Sequence, residues 1–464
     1  MKIKIKELGP LRQAEYTMGD FTIICGKNNT GKTYATYAMY GFLSFWEEAY
    51  IIHVNRKKIN SLLDEGTVVI DLNEYVDGAS KIISHACKEY SNEFSRIFAS
   101  TKKMFSNANY EILISEYEVK ILDQYNKTFG SAKKNQLTIK KTGGTKLEVS
   151  LLIDREQPAI TQRYNLQRLI GNAIKEIVFS NVFPHPFIAS AERTGAAIFR
   201  KELDFARNRL IEQMSSMERD LNPFELLDKV YADYALPVRR NVDFTRRLEE
   251  ISKYESYIAK EYSDILADFS HLIGGQYKVV RDELYYIPNQ NKRLKLSMDE
   301  SSSAVRSLLD IGFYLKHVAK KGDLLIIDEP ELNLHPENQR KMARLFARLI
   351  NVGIKVFITT HSDYIIKELN TLIMLNKNSS TIENIRKKEK YKKRELIKSS
   401  QIRVFMASKK AILIDGNIRK VKTLTFSEAD IDPELGIEAE SFDRTIDEMN
   451  RIQESLWFCE DDQQ

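Results

Sequence analysis

The run Gly26-Lys-Asn-Asn-Thr-Gly-Lys-Thr33 fits the pattern G-x-x-x-x-G-K-[ST] in full. A loop of this kind wraps its backbone N–H groups around an anion, and a Cβ at Gly26 or Gly31 would obstruct the turn. The residue types therefore point to phosphate chemistry. The stretch Gly26, Lys27, Asn28, Asn29, Thr30, Gly31, Lys32, Thr33 and Tyr34 is expected to cradle ATP. Lys32 would neutralise the β- and γ-phosphates, Thr33 would hold Mg2+ through its hydroxyl, and the following helix would turn its positive end towards the anion.

Far along the chain, Leu324-Leu-Ile-Ile-Asp-Glu-Pro330 is an apolar run ending in two carboxylates. A buried parallel strand of this kind would deliver Asp328 to the Mg2+ shell and leave Glu329 to polarise the attacking water. Lys355-Val-Phe-Ile-Thr-Thr-His361 is a further apolar strand, ending in an imidazole that could reach the γ-phosphate and the water beside Glu329. Lys32, Glu329 and His361 are thus the candidate catalytic groups. Asp299-Glu-Ser-Ser-Ser-Ala-Val-Arg-Ser307 opens an amphipathic helix. Serine is a good N-cap, which explains the cluster without any ligand. Alternatively, the helix start at Ser301, Ser302 and Ser303 binds the γ-phosphate held by another subunit.

The elements that must position these groups alternate strand, loop and helix. Ile3–Lys6 and Phe21–Cys25 read as strands feeding the glycine loop, and 34–52 as a largely buried helix. The periodicity over 59–106 is helical, whereas 110–121 and the pair 136–141 and 145–153 read as extended, with Lys-Thr-Gly-Gly at 141–144 as a hairpin turn. A helix over 161–180 leads to a proline-flanked strand and the loop Ala191-Glu-Arg-Thr-Gly195. The expected division is an N-terminal half at 1–195, a helical lobe at 196–275, a C-terminal half at 276–375 and a small C-terminal α/β module at 376–464. In that module 404–424 reads as paired strands and 443–455 as a closing helix.

Composition narrows the class. With 464 residues, 43% hydrophobic and 29% charged, the chain reads as a globular protein of more than one module. Seventy basic against 65 acidic residues leave a net charge of +5, which decides nothing about nucleic acid. The segment 386–398 holds eight basic residues against two acidic. It reads as a solvated face or as a contact for duplex DNA or a partner. Cys25, Cys87 and Cys459 form no C-x-x-C pair, so a reducing cytoplasm fits. No run approaches the roughly 20 apolar residues that a membrane helix needs.

This order of phosphate loop, serine-led helix, Asp-Glu-Pro-Glu run and strand-end histidine resembles the ABC-type ATPases, the class that includes RecF, SMC and OLD proteins. It looks closest to the AAA family ATPases of bacterial anti-phage defence and toxin–antitoxin operons, such as AriA of PARIS and PtuA of Septu. The resemblance implies an α/β P-loop NTPase of ABC head type, its nucleotide-binding domain interrupted by the helical lobe. It makes Ser301–Ser303 the signature in place of Leu-Ser-Gly-Gly-Gln, Glu331–Pro336 the loop at a dimer interface and His361 the switch histidine. The loop 191–195 would take the Q-loop position, with Arg193 as a phosphate or interface contact. The implied partners are a second copy of the chain, a nuclease or toxin encoded in trans and a phage-derived trigger. A RecF-like clamp on duplex DNA is the alternative. A built-in TOPRIM nuclease would need Asp415 with Asp430 and Asp432, and the remaining tail looks too short for it.

Overall fold

The computed structural model describes residues 1–131, 134–152, 163–198, 234–281, 283–415, 418–432, 434, 436–437 and 448–456. At its centre is a six-stranded sheet in the order Val421–Glu428, Ile402–Ile412, Phe21–Gly26, Lys355–Thr360, Leu324–Asp328, Pro186–Ala189. The pairs are parallel except for the antiparallel edge formed by Ile402–Ile412 and Val421–Glu428. A parallel strand must be covered on both faces, which explains why Phe21–Gly26 and Leu324–Asp328 are buried throughout. Alternate side chains feed two cores. Ile24, Ile188, Ile326 and Phe357 join the core under the helix Lys32–Glu48, while Ile23, Ile327, Val356 and Ile358 join the core under Pro336–Asn351 and Asp363–Met374.

The register decides what meets at the sheet's edge. Thr360 lies opposite Cys25, Asp328 opposite Thr359, and Ile327 opposite Ala189. The phosphate loop, the carboxylate pair, the histidine and the loop after Ala189 therefore all leave from the carboxyl end of the parallel strands, the usual ligand edge of such sheets.

The expected C-terminal module does not stand apart. Ile402–Ile412 pairs directly with the strand that feeds the phosphate loop, and a Cβ at Gly26 would lie 2.5 Å from the Ala407 carbonyl. The head's own sheet thus continues past residue 375 because the apolar alternation of 402–407 needs the same two cores. The described part of the expected lobe also packs on the head. Ser263–Ile273 runs against Pro336–Asn351, whose Arg348 pairs with Asp264 and Asp268. Residues 199–233 of that lobe lie outside the described residues.

Smaller sheets flank the head. Lys2–Leu8 lies between Leu11–Thr17 and Asn109–Leu113, and Thr67–Asp71 begins a four-stranded sheet with Lys146–Leu152, Lys134–Thr142 and Gln124–Ser131. The purely helical reading of 59–106 therefore fails at Thr67–Asp71, where Thr-Val-Val-Ile is a β-branched run. The extended reading of 110–121 stops at Leu113, after which Ser115 caps a short 3-10 turn. Of the expected closing helix, 448–455 is helical and 443–447 lies outside the described residues. No helix among the described residues is long and apolar enough to cross a membrane.

Candidate active site

The helix Lys32–Glu48 starts at Gly31, which caps it in a left-handed conformation without any side-chain acceptor. No acidic residue occupies its first turn, so the free N–H groups and the positive end of the dipole face the loop uncompensated. Gly26 has φ 142° and Gly31 φ 87°, and a Cβ on Gly31 would sit 2.7 Å from Leu11 Cγ. Only glycine makes both turns without strain. Thr30 Oγ1 closes the loop by donating to the Lys27 carbonyl at 2.8 Å, while Lys27, Asn28 and Asn29 stay exposed.

Lys32 is buried, and its ammonium donates to the carbonyls of Gly26 at 3.0 Å and Lys27 at 2.8 Å. Burial lowers its pKa, and the charges of Glu329, Asp328 and Glu331 oppose that fall. A cation held among acceptors of its own loop is placed to exchange them for phosphate oxygens.

Asp328 is 1% exposed, and its Oδ1 accepts a hydrogen bond from the Thr359 hydroxyl. Its Oδ2 is buried with no partner in hydrogen-bonding geometry. Burial pushes the carboxyl up to about 6, with the Thr359 and Thr33 hydroxyls working against that rise. An unsatisfied buried carboxylate oxygen next to Thr33 is the donor set a hard cation takes, so the residues present fit Mg2+.

Glu329 is a non-glycine residue at φ 52°. Its Oε1 lies 3.0 Å from His361 Nε2, and His361 Nδ1 lies 2.7 Å from the Gly26 carbonyl. The imidazole therefore bridges the phosphate loop and the carboxylate pair. His361 holds Glu329 below the ordinary carboxylate range, with Lys32 adding to the effect.

Glu331, expected only to open an interface loop, fixes the histidine. Its Oε1 accepts from the His361 N–H at 2.6 Å and its Oε2 from Thr360 Oγ1 at 2.9 Å. Burial raises its pKa, and these two hydrogen bonds resist the rise. The signal was present in the sequence as a third carboxylate in Asp-Glu-Pro-Glu.

Three expected contacts come out differently. The Tyr34 ring stacks on Phe98 at 5.2 Å and covers Gly9, so only its backbone belongs to the loop. Ser301 is buried and donates to the Ser297 carbonyl at 2.7 Å, while Ser302 caps the short helix Ser303–Ser307. Ser302 and Ser303 alone face outward. Arg193 is neither a phosphate nor a surface contact, because its guanidinium is fully buried among backbone carbonyls.

The family model described as "AAA ATPase domain" matches residues 1–366. The chain belongs to this family. The AAA ATPase domain accounts for the phosphate loop, the carboxylate strand and the histidine together, and it makes the chain a nucleotide-binding P-loop protein of α/β fold. No curated protein matches. Among solved structures, an SMC head bound to the C-winged helix domain of ScpA is similar at 11% identity, covering 93% of this chain and 97% of that one with a TM-score of 0.34. The SMC head domain from Thermotoga maritima gives 10%, 93%, 98% and 0.30 for the same measures. An SMC head with an extended coiled coil, bound to the C-terminal domain of ScpA derived from Pyrococcus furiosus, gives 11%, 97%, 98% and 0.31.

Proposed function

We propose that this AAA ATPase domain protein binds ATP with Mg2+ and hydrolyses it, with Glu329 as the general base and His361 as its electrostatic partner. The observation that supports this most is the meeting of Lys32, Glu329 and His361 at one sheet edge, from positions up to 329 residues apart. Lys32 would bind the β- and γ-phosphates. Thr33 and Asp328 would hold Mg2+, which when bound neutralises phosphate charge. Glu329, kept ionised by His361, would orient a water and take its proton. The test is a pair of variants assayed for nucleotide affinity and phosphate release. Lys32→Ala is expected to lose ATP affinity by at least about 100-fold, and Glu329→Gln to bind ATP normally while turnover falls by about 100-fold or more. Wild-type hydrolysis in Glu329→Gln would overturn the assignment.

We further infer that two heads pair so that Ser302 and Ser303 of one face the nucleotide of the other. In the cytoplasm of a bacterium such a pair would act as the regulatory or sensing subunit of an anti-phage or toxin–antitoxin complex, restraining a separately encoded nuclease until a phage-derived trigger arrives. The motif order and its resemblance to defence ATPases support this reading. Co-purification with the product of the neighbouring gene tests it, and a neighbour of unrelated function would count against it. For the DNA alternative, four of the eight basic residues in 386–398 are already committed. Arg386 and Lys387 pair with Glu383, Lys392 with Asp268 and Arg394 with Asp264, which favours a solvated face.

A further inference from the structure

We propose that Arg193 is a positioning residue for hydrolysis: it ties the serine-led helix to the backbone of Glu329, so that movement of one is felt by the other. The inference rests on the ATPase reading above.

Arg193 is 1% exposed. Its Nε donates to the Ser307 carbonyl at 2.7 Å, Nη1 to the carbonyls of Ser190 at 2.9 Å and Asp328 at 2.7 Å, and Nη2 to that of Glu329 at 2.9 Å. These acceptors belong to different parts of the edge. Ser190 follows the strand Pro186–Ala189, Ser307 ends the helix that Ser302 caps, and Asp328 and Glu329 carry the carboxylate pair. Only a planar guanidinium presents donors in a fork that can serve four fixed carbonyls at once. The Asp310 carboxylate is buried with neither oxygen hydrogen-bonded; burial pushes it up to about 7, and the charge of Arg193 works against that rise. A buried cation with a counter-charge at hand is tolerable where a lone one is not.

The need for such a clamp lies in Glu329 itself. A non-glycine residue in the left-handed region is strained and persists only where its surroundings over-determine it. At Glu329 (φ 52°), the N–H donates to the Thr359 carbonyl at 3.1 Å and the C=O is held by Arg193. Removing the second hold frees the peptide to relax and swings the carboxylate away from the water it would orient. Ser307 makes the coupling two-sided, because its Oγ also donates to the Leu332 carbonyl at 3.2 Å, just beyond the carboxylates. Contact with the exposed Ser302 and Ser303 by a second head would thus press on Glu329 through one rigid side chain.

The test is Arg193→Lys in the full chain, since lysine keeps the charge but not the fork. Expected is affinity for a fluorescent non-hydrolysable ATP analogue within about 3-fold of wild type, unchanged KM, and kcat lower by about 10-fold or more. A role in folding alone would lower the active fraction without moving kcat per titrated site. If Arg193→Lys does not fold, the double variant Arg193→Gln with Asp310→Asn leaves no buried charge unpaired and carries the same expectation. Turnover within about 2-fold of wild type in either folded variant overturns the proposal, as does loss of analogue binding in parallel with turnover. If an Arg193 variant gives either of those results while wild type hydrolyses ATP and Glu329→Gln does not, only the Arg193 proposal falls. If wild type shows no turnover, the ATPase reading falls and takes this role with it.

Discussion

His185 sits just before the strand Pro186–Ala189, at the amino end of the sheet and away from the nucleotide edge. Its Nδ1 lies 2.9 Å from both carboxylate oxygens of Glu47, near the end of the phosphate-loop helix. The hydrogen bond to Glu47 raises the His185 pKa above 6.5, and Glu47, which burial alone would push up, is carried below 4.5 by His185. The signs give a window. The raised histidine stabilises the fold fully below its unfolded value of 6.5 and loses that contribution as pH rises through the higher folded value. The lowered glutamate contributes above 4.5 and loses that as pH falls. Both side chains are 49% exposed, so screening holds the effect below about 1 kcal/mol. Thermal melts of His185→Gln should therefore fall short of wild type at pH 5.5 and match it at pH 8.5. A deficit of equal size at both values would mean that the pair matters for packing and not for charge. For this pair, Arg193 and Glu331 the residue types stand in the sequence, but what they bind does not. Their partners are backbone carbonyls, backbone N–H groups or a residue 138 positions away, and main-chain acceptors have no letter in a sequence. That Lys32, Asp328 and Glu329 leave from the same edge of the sheet was legible because the strand, loop and carboxylate patterns that place them are local.

The phosphate loop was readable as an element because strand, glycine turn and helix follow one another without interruption. Its outer wall was not. Gly26 is pressed against Ala407 by pairing between strands 381 residues apart, and periodicity over 402–407 announces a strand without saying where it docks. The same limit explains why the strand Thr67–Asp71 escaped: five residues between helices are too few for a change of period to stand out. The docking gives Gly26 a double constraint that the motif alone does not express. At φ 142°, with the Ala407 carbonyl 2.5 Å from any Cβ, Gly26→Ala must either strain the backbone or part the loop from the sheet. The Gly26 carbonyl also receives Lys32 and His361, so a shift there disturbs both. The expected outcome is a loss of about 1–3 kcal/mol in denaturant unfolding together with at least about 10-fold weaker ATP binding. Gly66→Ala is the control, since it shares a positive φ of 74° but meets only the Leu151 carbonyl at 3.4 Å. It should cost stability without touching nucleotide affinity, and a loss of affinity there would detach the effect from the loop's docking.

At the scale of the whole molecule, the proposed pairing of heads would make the nucleotide edge half a site. Lys32, Asp328, Glu329 and His361 meet at the carboxyl edge of the sheet, but Ser302 and Ser303, the groups expected to close over a γ-phosphate, are exposed at the start of a helix of five residues. The Ser302 hydroxyl accepts from the Val305 N–H at 3.4 Å, which caps its own helix and leaves the exposed face free to meet another surface. Two heads arranged face to face would complete each other, and ATP trapped between them would supply the charge that joins the two edges. Hydrolysis would remove that charge and release them. A variant that binds ATP without cleaving it should then accumulate as the pair. Glu329→Gln with Mg2+ and ATP is expected to run in light-scattering chromatography at twice the mass it shows without nucleotide. Adding Ser302→Arg should return it to the nucleotide-free mass, because a guanidinium at that helix start blocks the approach of the second head, while ATP affinity per chain stays within about 3-fold. A nucleotide-dependent pair that survives Ser302→Arg would mean that the heads meet through another surface, and the serine-led helix would then have capping as its whole role.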